Sequence, residues 1–155
     1  MISAANLSQC AAVLELQKEA YQSEALLYPG LELPPLVQSL EQLEQELKTH
    51  QFLVYIEAGQ VIGSVRAKRT GKEWEIGRLI VKPTHQGQGI GSRLLKAIEQ
   101  TAPPECTQFS LFTGHKSQRN LTLYQSKGYV PTAEEVLDPT LTLIVLTKEI
   151  NVRST

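Results

Sequence analysis

Little in this chain points to a metal, a membrane or a nucleic acid. Only two cysteines occur among 155 residues, Cys10 and Cys106. They lie far apart, and neither belongs to a CxxC pair or a Cys/His ligand set, so no zinc or other metal site is expected. Two reduced thiols in an intracellular protein is the reading they favour. An excess of charge of one sign is also missing. Fifteen Lys and Arg against sixteen Asp and Glu give a formal net charge of −1. Broad nucleic-acid binding needs a basic surface that displaces counterions, so nucleic acid is not an expected partner, although a local basic pocket remains compatible. No apolar run reaches membrane-spanning length; the longest, LTLIVL, suits a strand, and no membrane partner is expected. The opening MISAANLSQC has neither a basic head nor an apolar run, so no secretory signal is expected there and the cytoplasm is the expected compartment. No internal repeat, low-complexity tract or GxSxG nucleophile elbow occurs.

What is present is ordinary globular material: 41% hydrophobic and 20% charged residues. The length allows one domain, 1–155, around one sizeable core. Asn6, with Gln9 three residues on, predicts a capped first helix whose inner face carries Leu7, Ala11 and Leu14. Residues 21 to 35 read as an irregular, apolar loop. Pro34 and Pro35 predict the start of a second helix, with Leu36, Leu40, Leu43 and Leu47 as one stripe packed on a sheet. Strand signals follow at 52–58, 61–69 and 74–81, separated by a turn at Gly59-Gln60 and another at TGKE. Connections that short predict an antiparallel meander. A helix then carries Ile90, Leu94, Leu95 and Ile98 on one face and ends at Pro103-Pro104. FSLF (109–112) predicts a short buried strand, 119–128 a short helix closed by Gly128, and 141–150 a last strand. The order ααβββαβα and then β predicts one mixed α/β (α+β) domain, a central, mostly antiparallel sheet with helices on both faces.

The informative stretch is HQGQGIGSRLLKAIEQ (85–100), with glycines at 87, 89 and 91 opening an amphipathic helix. Glycine admits positive φ and lets a ligand approach the backbone. The first N–H groups of a helix lack partners and carry partial positive charge, so strand, glycine loop and helix together favour a phosphate. A Walker loop is excluded, because Gly91 is followed by Ser92-Arg93 and not by Lys-Ser/Thr. A dinucleotide fingerprint is excluded as well: Ser92 stands where its third small residue belongs, and no acid lies near position 111. Gln86-Gly87-Gln88-Gly89-Ile90-Gly91 instead fits Gln/Arg-x-x-Gly-x-Gly/Ala at every fixed position.

That pattern, the preceding EIGRLIVKPTHQ and the later Asn120-x-x-x-Tyr124-x-x-x-Gly128-Tyr129 together resemble the GCN5-related N-acetyltransferase (GNAT) superfamily. Order and spacing agree from about residue 50 to the end. The resemblance implies a fold whose two central strands, here 74–81 and 108–113, splay apart. It implies acetyl-CoA as cosubstrate, its pantetheine arm pairing with backbone at Leu79, Ile80 and Val81. The pyrophosphate would lie on the N–H groups of Gln86, Gly87, Gln88, Gly89, Ile90 and Gly91, with Ser92 and Asn120 also at the cofactor. The loop lacks the Arg or Lys that many relatives carry, so Arg93, Lys116, Arg119 or Lys127 are the candidates for charge toward the nucleotide. The resemblance casts Tyr124 as general acid to the leaving thiolate, with Glu75 or ordered water taking the proton of the amine.

His85 and His115 read as loop histidines, and Cys106 as structural. The expected acceptor is a primary amine of a small molecule, a peptide or a protein, shaped by Tyr21, Leu26, Leu27 and Tyr28. A noncatalytic acyl-CoA-binding or regulatory module, a transferase of another acyl group and a hydroxyl acceptor stay open. Family relatives are often dimers, and no segment here marks an interface.

Overall fold

The computed structural model describes residues 1–150. Among them are seven strands, β1 (Ile2–Ala4), β2 (Gln51–Glu57), β3 (Gln60–Thr70), β4 (Glu73–Val81), β5 (Gln108–Gly114), β6 (Val130–Asp138) and β7 (Leu141–Glu149). They form one sheet in the order β1-β2-β3-β4-β5-β7-β6. Every neighbouring pair is antiparallel except β4 and β5, which run parallel at the centre. The helices are α1 (Cys10–Ala20), α2 (Gln22–Leu27), α3 (Pro34–Val37), α4 (Leu40–Leu47), α5 (Ile90–Glu99) and α6 (Gln118–Ser126).

Strand alternation divides the core between the two sheet faces. Leu53 of β2 points one way, to join Ile62, Trp74 and Ile76 beneath Ile90, Leu94, Leu95 and Ile98 of α5. Its neighbours Phe52 and Val54 point the other way, against Cys10 and Val13 of α1 and Leu43 of α4. The indole N–H of Trp74 donates to the Ile98 carbonyl at 3.0 Å, fixing the end of α5 over β4. The expected meander β2-β3-β4 is present, although its first turn is Ala58-Gly59 and not Gly59-Gln60. Both turn residues have positive φ, as a two-residue hairpin of this twist requires.

The N-terminal half departs from expectation in three ways. The chain reaches α1 through a 3₁₀ turn, Leu7–Gln9, closed by the Asn6 and Gln9 box. Its tighter winding changes the phase, so the buried face carries Cys10, Val13, Leu16 and Gln17, while Leu7 is exposed. Residues 21–35 are not loop throughout, since α2 occupies Gln22–Leu27. The leucine stripe is not one helix either. The two prolines open only the single turn α3, the backbone is extended at Gln38 and Ser39, and α4 starts afresh. Ser39 caps it, accepting from the Gln42 N–H at 3.1 Å while Gln42 accepts from the Ser39 N–H at 3.0 Å.

Two strands carry no sequence signal. β1 is three residues long and borrows its order from pairing Ile2 with Tyr55. β6 is an exposed edge on β7, with Pro131 and Glu134-Glu135 where an alternating apolar pattern would be needed.

Candidate active site

The parallel pair at the centre of the sheet is short. β4 and β5 are joined only at Glu73–Gln108, Trp74–Phe109 and Glu75–Ser110, yet β4 continues to Val81 and β5 to Gly114. Beyond Ser110 the strands fork, and the backbone groups on the facing edges lose their cross-strand partners. A bulge sits at the fork. Gly77 pairs with Arg66 and Ile80 with Ser64, so Arg78 and Leu79 together oppose Val65. Arg78 takes a positive φ of 47° there, a conformation that a residue with a long side chain seldom holds.

A cleft of about 850 Å³ opens on one side of the fork. Of the residues that the resemblance assigns to the cofactor, Leu79, Ile80, Val81, Gln86, Gly87, Gly89, Ile90, Gly91, Ser92 and Asn120 line it, whereas the exposed Gln88 does not. Gly89 stands at the N-cap of α5 with φ 81°, and Gly87 has the same φ. A Cβ added at either would meet nothing within 4 Å, so the space in front of the loop is open. Gly89 has no side chain to cap the helix, and the first-turn N–H groups of α5 are left for a ligand. Of the candidate cations, Arg119 of α6 lines the cleft and donates to the side-chain carbonyl of Gln86. Arg93 instead bonds the Tyr55 hydroxyl at 3.1 Å. His85 is held by Glu57 at 3.1 Å, and His115 accepts the Thr142 N–H at 3.0 Å, so both brace loops.

A second cavity of about 330 Å³ lies on the other side of the fork. It shares Tyr21, Glu24, Leu79, Ser117 and Asn120 with the first, and Tyr124 lines it. Glu24 of α2 is the hub of the junction. Its carboxylate accepts from Ser117 Oγ at 2.6 Å and from Asn120 Nδ2 at 3.3 Å, and Asn120 also donates to Thr113 Oγ1 at 3.2 Å. Ser117 occupies the N-cap of α6. The Lys116 N–H donates to the Tyr28 hydroxyl, which lies 3.0 Å from Ser117 Oγ, so the chain of bonds runs from the turn after β5 to Glu24. Tyr28 lies so close to Gly114 that a Cβ there would stand 2.0 Å from its oxygen. Of the residues expected to shape an acceptor, Tyr21 and Tyr28 enter this cavity, while Leu26 and Leu27 line the first cleft.

Burial raises the Tyr124 phenol well above the ordinary value, and Tyr21 and Glu24 add to the effect, so it stays protonated. Burial also pushes Tyr21 up to about 12, with Arg78 pulling down and Glu24 pushing up. Glu75, expected as the base, is not brought to this junction. It is exposed, lines neither cavity, and sits where β4 and β5 are still paired. Sequence reading missed Glu24, Arg66 and Arg78 at the second cavity. Glu24 lies on a six-residue helix that has no buried residue, and the bulge that aims Arg78 breaks strand alternation.

The model of the acetyltransferase (GNAT) domain family matches residues 48–131. N-acetyltransferase 8 of Rattus norvegicus is 34% identical over 94 residues, 56% of this chain and 42% of that protein, so the chain spans well under half of the relative's length. Among solved structures, the ribosomal-protein-alanine N-acetyltransferase of Brucella melitensis superposes with a TM-score of 0.78 at 19% identity, over 97% of this chain and 99% of that one. PaiA N-acetyltransferase of Thermoplasma acidophilum, solved in complex with coenzyme A, gives 0.75 at 18% over 97% and 98%. At these identities the structural likeness speaks to the fold. Among the described residues, no helix is long and apolar enough to cross a membrane.

Proposed function

The chain belongs to the GNAT acetyltransferase family, and from that premise we propose that it is an N-acetyltransferase moving an acetyl group from acetyl-CoA directly to an amine held in the second cavity. The observation that supports this most is the fork, which joins a glycine-lined cleft to an acceptor-sized cavity through one shared set of polar groups. Acetyl-CoA would supply the acyl group as a thioester. The residues fit it: the cleft has the volume of a large ligand site, the unpaired edge at Leu79, Ile80 and Val81 suits an amide-bearing arm, and the loop from Gln86 to Ser92 suits a pyrophosphate.

Tyr124 would hold a proton for the departing thiolate, a role that its raised pKa suits. An amine near pKa 10.4 is mostly protonated at neutral pH and must lose a proton before it attacks. Glu24 is placed to attract that ammonium and to take the proton directly or through water, with Ser117 and Asn120 orienting its carboxylate. We assign that role to Glu24 in preference to Glu75. The free, buried thiols of Cys10 and Cys106 suit a reducing compartment such as the cytoplasm.

Calorimetric titration with acetyl-CoA, with dephospho-CoA and NAD as controls, tests the reading when followed by thiol release from an amine panel. Binding of acetyl-CoA with release of free thiol is expected. Binding without turnover of any amine would favour a noncatalytic acyl-CoA module. Absence of both heat and thermal shift, in protein shown free of copurified CoA, would overturn the assignment.

A further inference from the structure

The second cavity carries opposite charges in different parts of its wall. Arg66 of β3 and Arg78 of the β4 bulge both line it, each with a side chain only 16% exposed. They lean on one carboxylate that does not line the cavity: Glu46 Oε1 lies 2.5 Å from Arg66 Nη1 and 3.7 Å from Arg78 Nη1. Their other partners among the described residues are neutral. Arg78 donates to Gln38 Oε1 at 2.6 Å and to Gln17 Oε1 at 3.4 Å. Among the described residues this cluster sets two guanidiniums against one carboxylate, which leaves one positive charge without an ion-pair partner on that side of the half-buried wall. A network serving structure alone would match its charges, because an unmatched charge away from water is costly. Arg78 is also held out of strand alternation by a strained backbone, the kind of cost that persists where function needs it. The cavity's carboxylate, Glu24, lies at the fork, and the Tyr21 phenol feels Arg78, Glu24 and Arg66 together. The rest of the wall is largely apolar, with Leu33, Pro34, Pro35, Ile76, Leu141 and Leu143.

We propose that the acceptor is a small amine that carries its own carboxylate and an apolar body, the chemistry of an apolar amino acid, with Arg66 and Arg78 as the carboxylate-binding residues. This rests on the transferase reading above. The ammonium would lie at Glu24, beside the fork and Tyr124, and the carboxylate would complete the charge that Glu46 leaves open. Guanidinium is suited to that partner because its planar fork meets both carboxylate oxygens. A cavity of about 330 Å³ suits a small molecule.

The test uses matched acceptors: leucine, phenylalanine and methionine, each with its amide and its decarboxylated amine. Thiol release from acetyl-CoA gives kcat/KM for each. The acids are expected to exceed their amides by about tenfold or more. Arg78→Asn, which keeps a residue tolerant of positive φ, is expected to bring the ratio near one by raising KM for the acids alone, and Arg78→Lys to restore part of it. Amides or bare amines turned over as well as the acids would overturn the proposal. So would acetyl-CoA binding without turnover of any acid, which leaves the transferase reading standing. Loss of acetyl-CoA binding in the unaltered protein would instead overturn the transferase reading beneath it. The wild-type ratio decides the matter even if the Arg78 variants do not fold.

Discussion

Tyr124 and Tyr129 lie side by side, with ring centroids 6.1 Å apart, and removing one oxygen from each should produce opposite phenotypes. Both rings are buried in the same core. The Tyr129 hydroxyl donates to Glu99 Oε2 at 2.7 Å, in a carboxylate that Lys148 also holds at 3.1 Å. Among the described residues the Tyr124 hydroxyl has no hydrogen-bond partner, and its ring lines the cavity. A hydrogen bond to a charged group contributes about 1.5–3 kcal/mol. Tyr129→Phe should therefore lower stability by about that much, and Tm by about 3–12 °C in a domain of this size. Its kcat should stay near wild type. Tyr124→Phe loses no protein hydrogen bond and should change stability by less than about 0.5 kcal/mol. If the phenol is the proton donor, kcat should fall about 10²- to 10⁴-fold, equivalent to about 2.7–5.4 kcal/mol of barrier. Thermal unfolding and thiol release at saturating acetyl-CoA read the two effects separately. Tyr124→Phe with kcat within about threefold of wild type would refute the donor role. Tyr124→Phe as unstable as Tyr129→Phe would show that its hydroxyl serves the core instead.

Glu24→Gln should lower kcat/KM by about tenfold or more near neutral pH, whereas Glu75→Gln, outside both cavities, should stay within about twofold; equal losses would return Glu75 to the mechanism. His50 gives the pH dependence of stability. Burial first, then the nearby Arg66, lowers its pKa below the usual 6.5. The folded state then binds fewer protons than the unfolded chain between the folded value and 6.5. Stability from this group is present above 6.5 and is lost as pH falls through the folded pKa. Denaturant midpoints measured below pH 6.5 should show that slope, and His50→Gln should remove it.

The parts of this molecule that the sequence announces are those whose signals are local. The β2-β3-β4 meander follows from β-forming runs with short turns between them. The face of α5 follows from the spacing of Ile90, Leu94, Leu95 and Ile98, and the loop before it from its glycines. The cleft side of the site was legible for the same reason, since its residues are neighbours in the chain. The second cavity was legible only in part: the sequence points to its Tyr21, Tyr28 and Tyr124, but not to Glu24, Arg66 and Arg78. These three come from three separate elements, and what unites them is a bulge and a fork that arise between strands. The Ser39-x-x-Gln42 capping box was visible but was masked by the more regular leucine spacing across it. β6 could not be seen because an exposed edge next to solvent needs no apolar alternation.

The fork also divides the backbone of the sheet. Three residue pairs stitch β1 to β4 onto β5 to β7, and past them the two halves are held by the side chains under α5. A ligand lying in the gap would act as a removable rung between two half-sheets. Its binding energy would then belong to the fold, adding about 2.7 kcal/mol when the ligand stands at a hundred times its Kd. Amides of Leu79 and Val81, which face that edge while Ile80 pairs with Ser64 of β3, would exchange with solvent in the free protein and become shielded when the rung is in place. The seam would thus be strongest when donor is plentiful and would loosen as the supply falls, so the lifetime of the folded chain would follow its own cosubstrate.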